Sequence, residues 1–213
     1  SWPRIRMAAT CSNWPMAATG EAMALQCTPT ALPGVLIFTP QLHGDARGFF
    51  LQTYHAREYA AAGLARTFVQ DNLSRSCRDT VRGLHYQLRH PQAKLVSVLS
   101  GAVLDVAVDI RRGSPTFGRH VTVELSAENR RQLFIPEGFA HGFRVLTDTA
   151  DFYYKCTDFY TPGDEYGIFW NDPALGIPWG TIAAPVVSAK DAALPHLRDL
   201  PAAHLPTFPA DAS

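Results

Sequence analysis

No stretch of this chain is apolar enough for long enough to cross a bilayer. The most apolar region, residues 94–110, is interrupted by Ser97, Ser100, Gly101, Asp105 and Asp109. Net charge is lacking too: 19 Lys and Arg stand against 19 Asp and Glu, so no sequence-independent electrostatic hold on nucleic acid or an anionic membrane is expected. Any anionic partner must be met by local basic groups. Cysteine is sparse, and Cys11, Cys27, Cys77 and Cys156 show neither CxxC spacing nor the density of a disulfide framework, which points to reduced thiols and a cytoplasmic protein. Residues 1–22 lack both periodicity and the apolar core of a signal peptide, and read as an unstructured leader. Met7, Met16 and Met23 are each candidate starts. There is no internal repeat and no sign of a second domain.

What is present is strand. With 46% hydrophobic residues over 213 positions there is material for one well-buried domain, expected to start near residue 23 and run to about 187. Period-2 alternation is strong in Leu104, Val106, Val108 and Ile110 and again in Val121, Val123 and Leu125, predicting half-buried antiparallel strands. Leu133-Phe134-Ile135 and Phe143-Arg144-Val145-Leu146 continue the series. Ser114-Pro115-Thr116-Phe117-Gly118 and Ala127-Glu128-Asn129 supply turns, and short strands at this spacing indicate an all-β sandwich or barrel. A short helix is expected over Tyr54 to Ala62, closed at Gly63 and packed outside the sheet. Ser188-Ala189-Lys190-Asp191 reads as a helix start, while Pro195, Pro201, Pro206 and Pro209 limit helix in a tail (188–213) expected to pack on the barrel.

Unusual polar groups sit within these apolar strands. In Val81-Arg82-Gly83-Leu84-His85-Tyr86-Gln87 an imidazole lies between a guanidinium and an amide. Strict alternation turns Val81, Gly83, His85 and Gln87 one way and Arg82 and Leu84 the other. A lone histidine there is either a satisfied core residue or an acid–base group. Phe68-Val69-Gln70-Asp71-Asn72-Leu73-Ser74 puts Gln70, Asn72 and Ser74 on one face, fronting solvent or a cavity. Lys94, Asp151-Phe152-Tyr153-Tyr154-Lys155, Trp170-Asn171-Asp172-Pro173 and the run from Ile135 through His141 to Phe143 complete the set. Two histidines and several acids raise a metal site, but His85 is followed by Tyr86 and Gln87 with no further ligand at metal spacing, so none is expected.

In order and spacing, these motifs together resemble the dTDP-4-dehydrorhamnose 3,5-epimerase family. They are joined by Gly44-Asp45-Ala46-Arg47-Gly48-Phe49-Phe50 and Asp105-Val106-Ala107-Val108-Asp109-Ile110-Arg111, and the similarity runs from about Pro33 to Trp179. It is weaker through Lys190 and Asp191. The resemblance implies a metal-free cupin jelly roll, a homodimer, and epimerisation of a nucleotide-linked 4-keto-6-deoxyhexose at carbons 3 and 5. No cofactor is implied, because only protons move. It implies His85 as base, Asp172 as the carboxylate orienting it, Lys94 as the cation beside the carbon-4 oxygen, and Tyr154 as the acid on the opposite ring face. The Tyr154 phenol is expected to be made more acidic by Lys94 or Lys155. Arg47 and Arg82 match diphosphate contacts. Gln70, Asn72 and His141 match the sugar pocket, Tyr160 a stacking contact near the nucleoside, and Glu165 a further substrate contact. One departure is Gln52, where the family often carries an acid at the nucleotide-recognition end. Two other readings stay open: a relative that inverts one centre only or acts on another nucleotide sugar, and a sugar-binding cupin without turnover. The retention of His85, Asp172, Lys94 and Tyr154 together argues against the second.

Overall fold

Alternating β-branched and aromatic residues shape the core of the chain into strands that bury one face or both. A computed structural model describes residues 25–208. The expected leader, with Met7, Met16 and Met23 and Cys11, lies outside the described residues, as does the end of the tail. In chain order the elements are β1 (Gln26–Pro29), β2 (Leu36–Thr39), β3 (Leu42–Asp45), β4 (Gly48–Leu51), α1 (Ala56–Ala61), β5 (Gln70–Cys77), β6 (Val81–Gln87) and β7 (Lys94–Ser100). There follow β8 (Ala102–Asp109), β9 (His120–Ser126), β10 (Gln132–Ile135), β11 (Phe139–Val145), β12 (Thr149–Cys156), β13 (Glu165–Gly167) and α2 (Ala189–Ala192).

Two antiparallel sheets face one another, one ordered β1-β2-β10-β7-β12-β5 and the other β13-β6-β11-β8-β9, while β3 and β4 form a separate hairpin. Their inner faces share one core that includes Val96, Val103, Val123, Leu133, Phe143 and Phe152. Phe143 and Phe152 stack across it with ring centroids 4.1 Å apart. The outer faces are covered as well. Helix α1 lays Tyr59 on Phe38, Leu95 and Phe134 of the larger sheet. On the smaller sheet the segments after β13 bring Trp170, Trp179, Leu197 and Leu205 over Val81, Leu84, Val106 and Val108.

That outer cover corrects one expectation. Strand β8 is buried along nearly its whole length rather than on one face, because the tail closes what would otherwise be its solvent side. Leu104, Val106 and Val108 face that cover, whereas Asp105 shares the inner face with Val103 and Ala107; Asp105 and Asp109 are both fully buried. The helix is shorter than expected: His55 is its extended N-cap, Ala62 its C-cap, and Tyr54 lies outside it, packed on Tyr59 and Phe68. Among the described residues after α2, the prolines leave single 3-10 turns at Leu197–Asp199 and Ala202–His204.

Candidate active site

Strand β6 departs from simple alternation at Gly83. Its pairing with β11 runs His85 to His141 and then Arg82 to Phe143, so Gly83 and Leu84 oppose Gly142 alone, a β-bulge. Only glycine fits here. A Cβ on Gly83 would lie 2.6 Å from the Gly142 Cα, and one on Gly142 would lie 2.6 Å from the Arg82 carbonyl oxygen. The extra residue re-aims the side chains, placing Val81 and Leu84 together on the outer, tail-covered face. Arg82 then turns into the same cavity as His85, which corrects the opposite-face assignment. The bulge also leaves the Gly83 N–H outside the ladder, where it donates to Asp191 Oδ2 at 3.1 Å.

The cavity, about 690 Å³, opens between the sheets and is walled by Ser76, Arg82, His85, Lys94, His141, Tyr154, Glu165, Lys190 and Asp191. A second recess of about 290 Å³ shares His85, Lys94, Tyr154 and Glu165 and adds Gln70, Asn72, Gln87 and Tyr160. His85 Nε2 lies 2.7 Å from Asp191 Oδ1. Burial pushes the Asp191 carboxyl up, but bonds from His85, the Gly83 N–H and Ser188 outweigh it and hold the group below its ordinary value. Asp191 is thus an ionised acceptor, so in the neutral form of the ring Nε2 carries the proton and the lone pair is on Nδ1, which lies 3.9 Å from Glu165 Oε1. An imidazole in this state can take a proton.

This geometry overturns the pairing of His85 with Asp172. Asp172 is buried behind the sheet, where Oδ1 accepts from the Ala174 N–H at 2.9 Å and Oδ2 from the Leu197 N–H at 2.8 Å. An Asp before Pro173 readily turns its carboxylate onto backbone N–H groups just ahead of it, and here the second bond pins the tail. The carboxylate that meets His85 comes instead from α2, 106 positions along the chain. The sequence reading also missed Lys190, which forms an ion pair with Glu165 at the cavity edge. The signal available for both was the Ser188-to-Asp191 capping spacing, which marks a helix start but says nothing of where that helix docks.

The other groups gather as follows. Lys94 begins β7 opposite Cys156 of β12, and its ammonium stands 5.9 Å from the Tyr154 ring centroid. Burial lowers the Lys94 pKa, against the opposing influence of Cys156, Asp105 and Glu165. Burial raises the Tyr154 phenol, with Cys156 and Glu165 adding to the rise and Arg82 opposing it. The expected acidification of Tyr154 therefore does not occur: Lys155 is paired with Asp71 instead, and burial dominates. Tyr154 stays protonated and is a donor. His141 Nε2 lies 3.1 and 3.0 Å from the two Asp105 oxygens, and burial depresses its pKa even so.

Arg82 Nε donates to Ser76 Oγ at 3.0 Å, Gln70 Nε2 to Asn72 Oδ1 at 3.1 Å, and the half-exposed Tyr160 gives its backbone N–H to Gln70 Oε1. Two expected contacts lie elsewhere. Arg47 is 90% exposed on the β3–β4 turn, bonded to Asp45, and Gln52 lines a separate recess beside α1, where its Nε2 donates to Glu58. Among the described residues no group of three or more His, Cys, Asp or Glu side chains is placed to hold a metal ion. Nor is any described helix long and apolar enough to cross a membrane.

Two facing antiparallel sheets that enclose a polar cavity, with a carboxylate-held imidazole, a lysine and a buried phenol, define a jelly-roll enzyme of the cupin type with acid–base machinery. Comparison with known proteins makes the class specific. The family model of dTDP-4-dehydrorhamnose 3,5-epimerase matches residues 29–199. The chain is 54% identical over 168 residues to the dTDP-4-dehydrorhamnose 3,5-epimerase of Pseudomonas aeruginosa, covering 78% of this chain and 93% of that one. It superposes on the crystal structure of dTDP-6-deoxy-D-glucose-3,5-epimerase from Legionella pneumophila in complex with dTDP-4-keto-L-rhamnose with a TM-score of 0.85, at 50% identity, covering 87% of this chain and all of that one. A 3'-monoepimerase from Streptomyces bikiniensis in complex with dTDP-quinovose gives a TM-score of 0.78 at 35% identity, covering 84% of this chain and 92% of that one. This chain belongs to the dTDP-4-dehydrorhamnose 3,5-epimerase family, and it is an isomerase.

Proposed function

We propose that this protein inverts carbons 3 and 5 of dTDP-4-dehydro-6-deoxy-D-glucose, giving dTDP-4-dehydro-L-rhamnose for dTDP-L-rhamnose synthesis. The observation that carries the reading is that His85 with Asp191, Lys94 and Tyr154 all border one cavity. A proton on the carbon beside a ketone becomes removable when the developing enolate is stabilised, which takes a neutral base and a donor at the oxygen. His85 Nδ1 takes that proton, and the Asp191 carboxylate supports the imidazolium that forms. The C–H electron pair moves to the carbon-4 oxygen, where Lys94 Nζ donates. Tyr154, a phenol whose burial raises its pKa further, returns a proton to the other ring face; the phenolate is reprotonated from water, and the His85 imidazolium gives its proton back to water. Delivery to the opposite face is what inverts the centre. The second carbon follows by the same sequence, and since protons alone are exchanged no cofactor takes part.

Arg82 and Lys190 supply cationic groups for the diphosphate, and Tyr160, exposed beside Gln70 and Asn72, offers a ring on which a base can stack. We further propose a cytoplasmic homodimer. The dimer is supported by the β3–β4 hairpin, which carries Phe50 at 67% exposure and leaves Arg47 unused in its own chain's cavity, so that a second copy can take Arg47 into its site. Proton NMR of dTDP-4-keto-6-deoxy-D-glucose incubated with the protein in D2O tests the activity. Deuterium should enter at both carbon 3 and carbon 5. Entry at carbon 3 alone would replace the double epimerase by a single-centre one, and no entry at either would remove the epimerase reading.

A further inference from the structure

The acid of the His85 pair rides on a helix that cannot hold itself. Helix α2 has four residues, far fewer than the roughly twelve an isolated helix needs in water. The strap carrying it is clipped at both ends. Val186 bridges Thr80, with the Val81 N–H donating to the Val186 carbonyl at 3.0 Å and the Val186 N–H to the Asp79 carbonyl at 3.0 Å. Beyond the helix, the Phe169 N–H donates to the Pro195 carbonyl at 2.8 Å and the Leu197 N–H to Asp172 at 2.8 Å. Between these clips the Asp191 backbone is oriented by Ser188, whose extended backbone makes it the N-cap and whose Oγ accepts the Asp191 N–H at 3.0 Å.

We propose that Ser188 is a positioning residue for the reaction, its hydroxyl fixing the Asp191 carboxylate simultaneously on His85 Nε2 and the Gly83 N–H. Ser188 itself sits at the cavity rim and is solvent-exposed, so it is not needed for core packing. The same hydroxyl is among the groups that keep the Asp191 carboxyl ionised. Its partner on the strap, Lys190, is anchored independently by Glu165. Loss of the hydroxyl therefore loosens the acid without releasing the cation.

This proposal rests on the epimerase reading, and its test separates the two. Deuterium incorporation and turnover of dTDP-4-keto-6-deoxy-D-glucose are measured for the wild-type protein and for Ser188→Ala, Ser188→Gly and Ser188→Thr, with melting temperature as a check on folding. A shift of even about 1 Å in a catalytic group can cost up to a hundredfold. Both Ser188→Ala and Ser188→Gly, the second of which preserves the ease of starting a helix, should lose kcat roughly tenfold while KM stays within about threefold. Ser188→Thr should restore most of the loss. Unchanged kcat in the alanine and glycine variants, a rise in KM alone, or a loss that threonine fails to restore would each overturn the positioning role. Absence of exchange in the wild-type protein would instead overturn the epimerase reading.

Discussion

His85 and His141 are direct cross-strand partners on β6 and β11, and each imidazole is held by a carboxylate from a different element, Asp191 of α2 for the first and Asp105 of β8 for the second. They are not equivalent. His141 is buried and kept neutral by that burial, whereas a quarter of the His85 side chain remains open to the cavity. Replacing His85 with Ala should abolish solvent-proton exchange and leave nucleotide binding nearly intact. Replacing His141 with Leu should instead lower stability by about 1–3 kcal/mol, because Asp105 is left buried without its partner. Exchange followed by NMR, beside urea denaturation of both variants, separates the two roles.

The two aspartates assigned in turn to the base can be told apart in one experiment. Asp191→Asn should reduce turnover by roughly 10²–10³ with little change in melting temperature, since it removes the group that supports the imidazolium. Asp172→Asn should do the reverse. It weakens two bonds to backbone N–H groups at the root of the tail, costing about 1–3 kcal/mol and a few degrees of melting temperature, with turnover near wild type. A large activity loss in Asp172→Asn without destabilisation would return that residue to the catalytic pair.

Lys94→Met keeps the length of the stem and deletes the donor at the developing oxyanion. Turnover should fall by roughly 10²–10³ with a much smaller effect on KM, as for other donors that act on charge formed in the transition state. Steady-state kinetics at fixed pH are sufficient to check it.

Gly142→Ala tests the bulge. The added methyl would stand 2.6 Å from the Arg82 carbonyl oxygen, so β6 must shift, carrying Arg82 and His85 with it. We expect a loss of about 1–3 kcal/mol in stability together with a fall in turnover, measurable by denaturation and by NMR exchange.

A second network gives a pH signature remote from the cavity. Burial raises the Asp109 carboxyl, but bonds from Arg111, Ser114 and Thr116 more than compensate and hold it below its ordinary value. A carboxyl with a depressed folded-state pKa contributes stability that is fully present above the unfolded-state pKa, near 4, and is lost as pH falls through the lower folded value. The urea midpoint should therefore drop between pH 5 and pH 2. Asp109→Asn should be less stable at pH 7 by about 2–4 kcal/mol, with a flatter acid limb. An unchanged acid limb in that variant would exclude Asp109 as a source of the pH dependence.

Much of this protein is written locally. Alternation specified β8 and β9, short apolar runs marked β10 and the end of β11, the turn residues placed the breaks between them, and the motif order gave the family and with it His85, Lys94, Tyr154, Gln70 and Asn72, all of which border the two joined recesses. Strand period fixes which face a side chain takes wherever the ladder is regular, so those positions needed no tertiary knowledge. Three things did. The bulge at Gly83 breaks the period and brings Arg82 onto the face of His85, and only the pairing of β6 with β11 reveals it. The outer cover of β8 depends on where the tail folds back, which no local pattern encodes. Finally, the acid that pairs with His85 was a choice between two aspartates of similar local character. Sequence marks Asp172 as a turn residue and Asp191 as a first-turn helix residue, but hydrogen bonding acts over about 3 Å. Only the docking of the strap against Thr80 and Phe169 decided that Asp191 reaches the imidazole while Asp172 holds the strap's root.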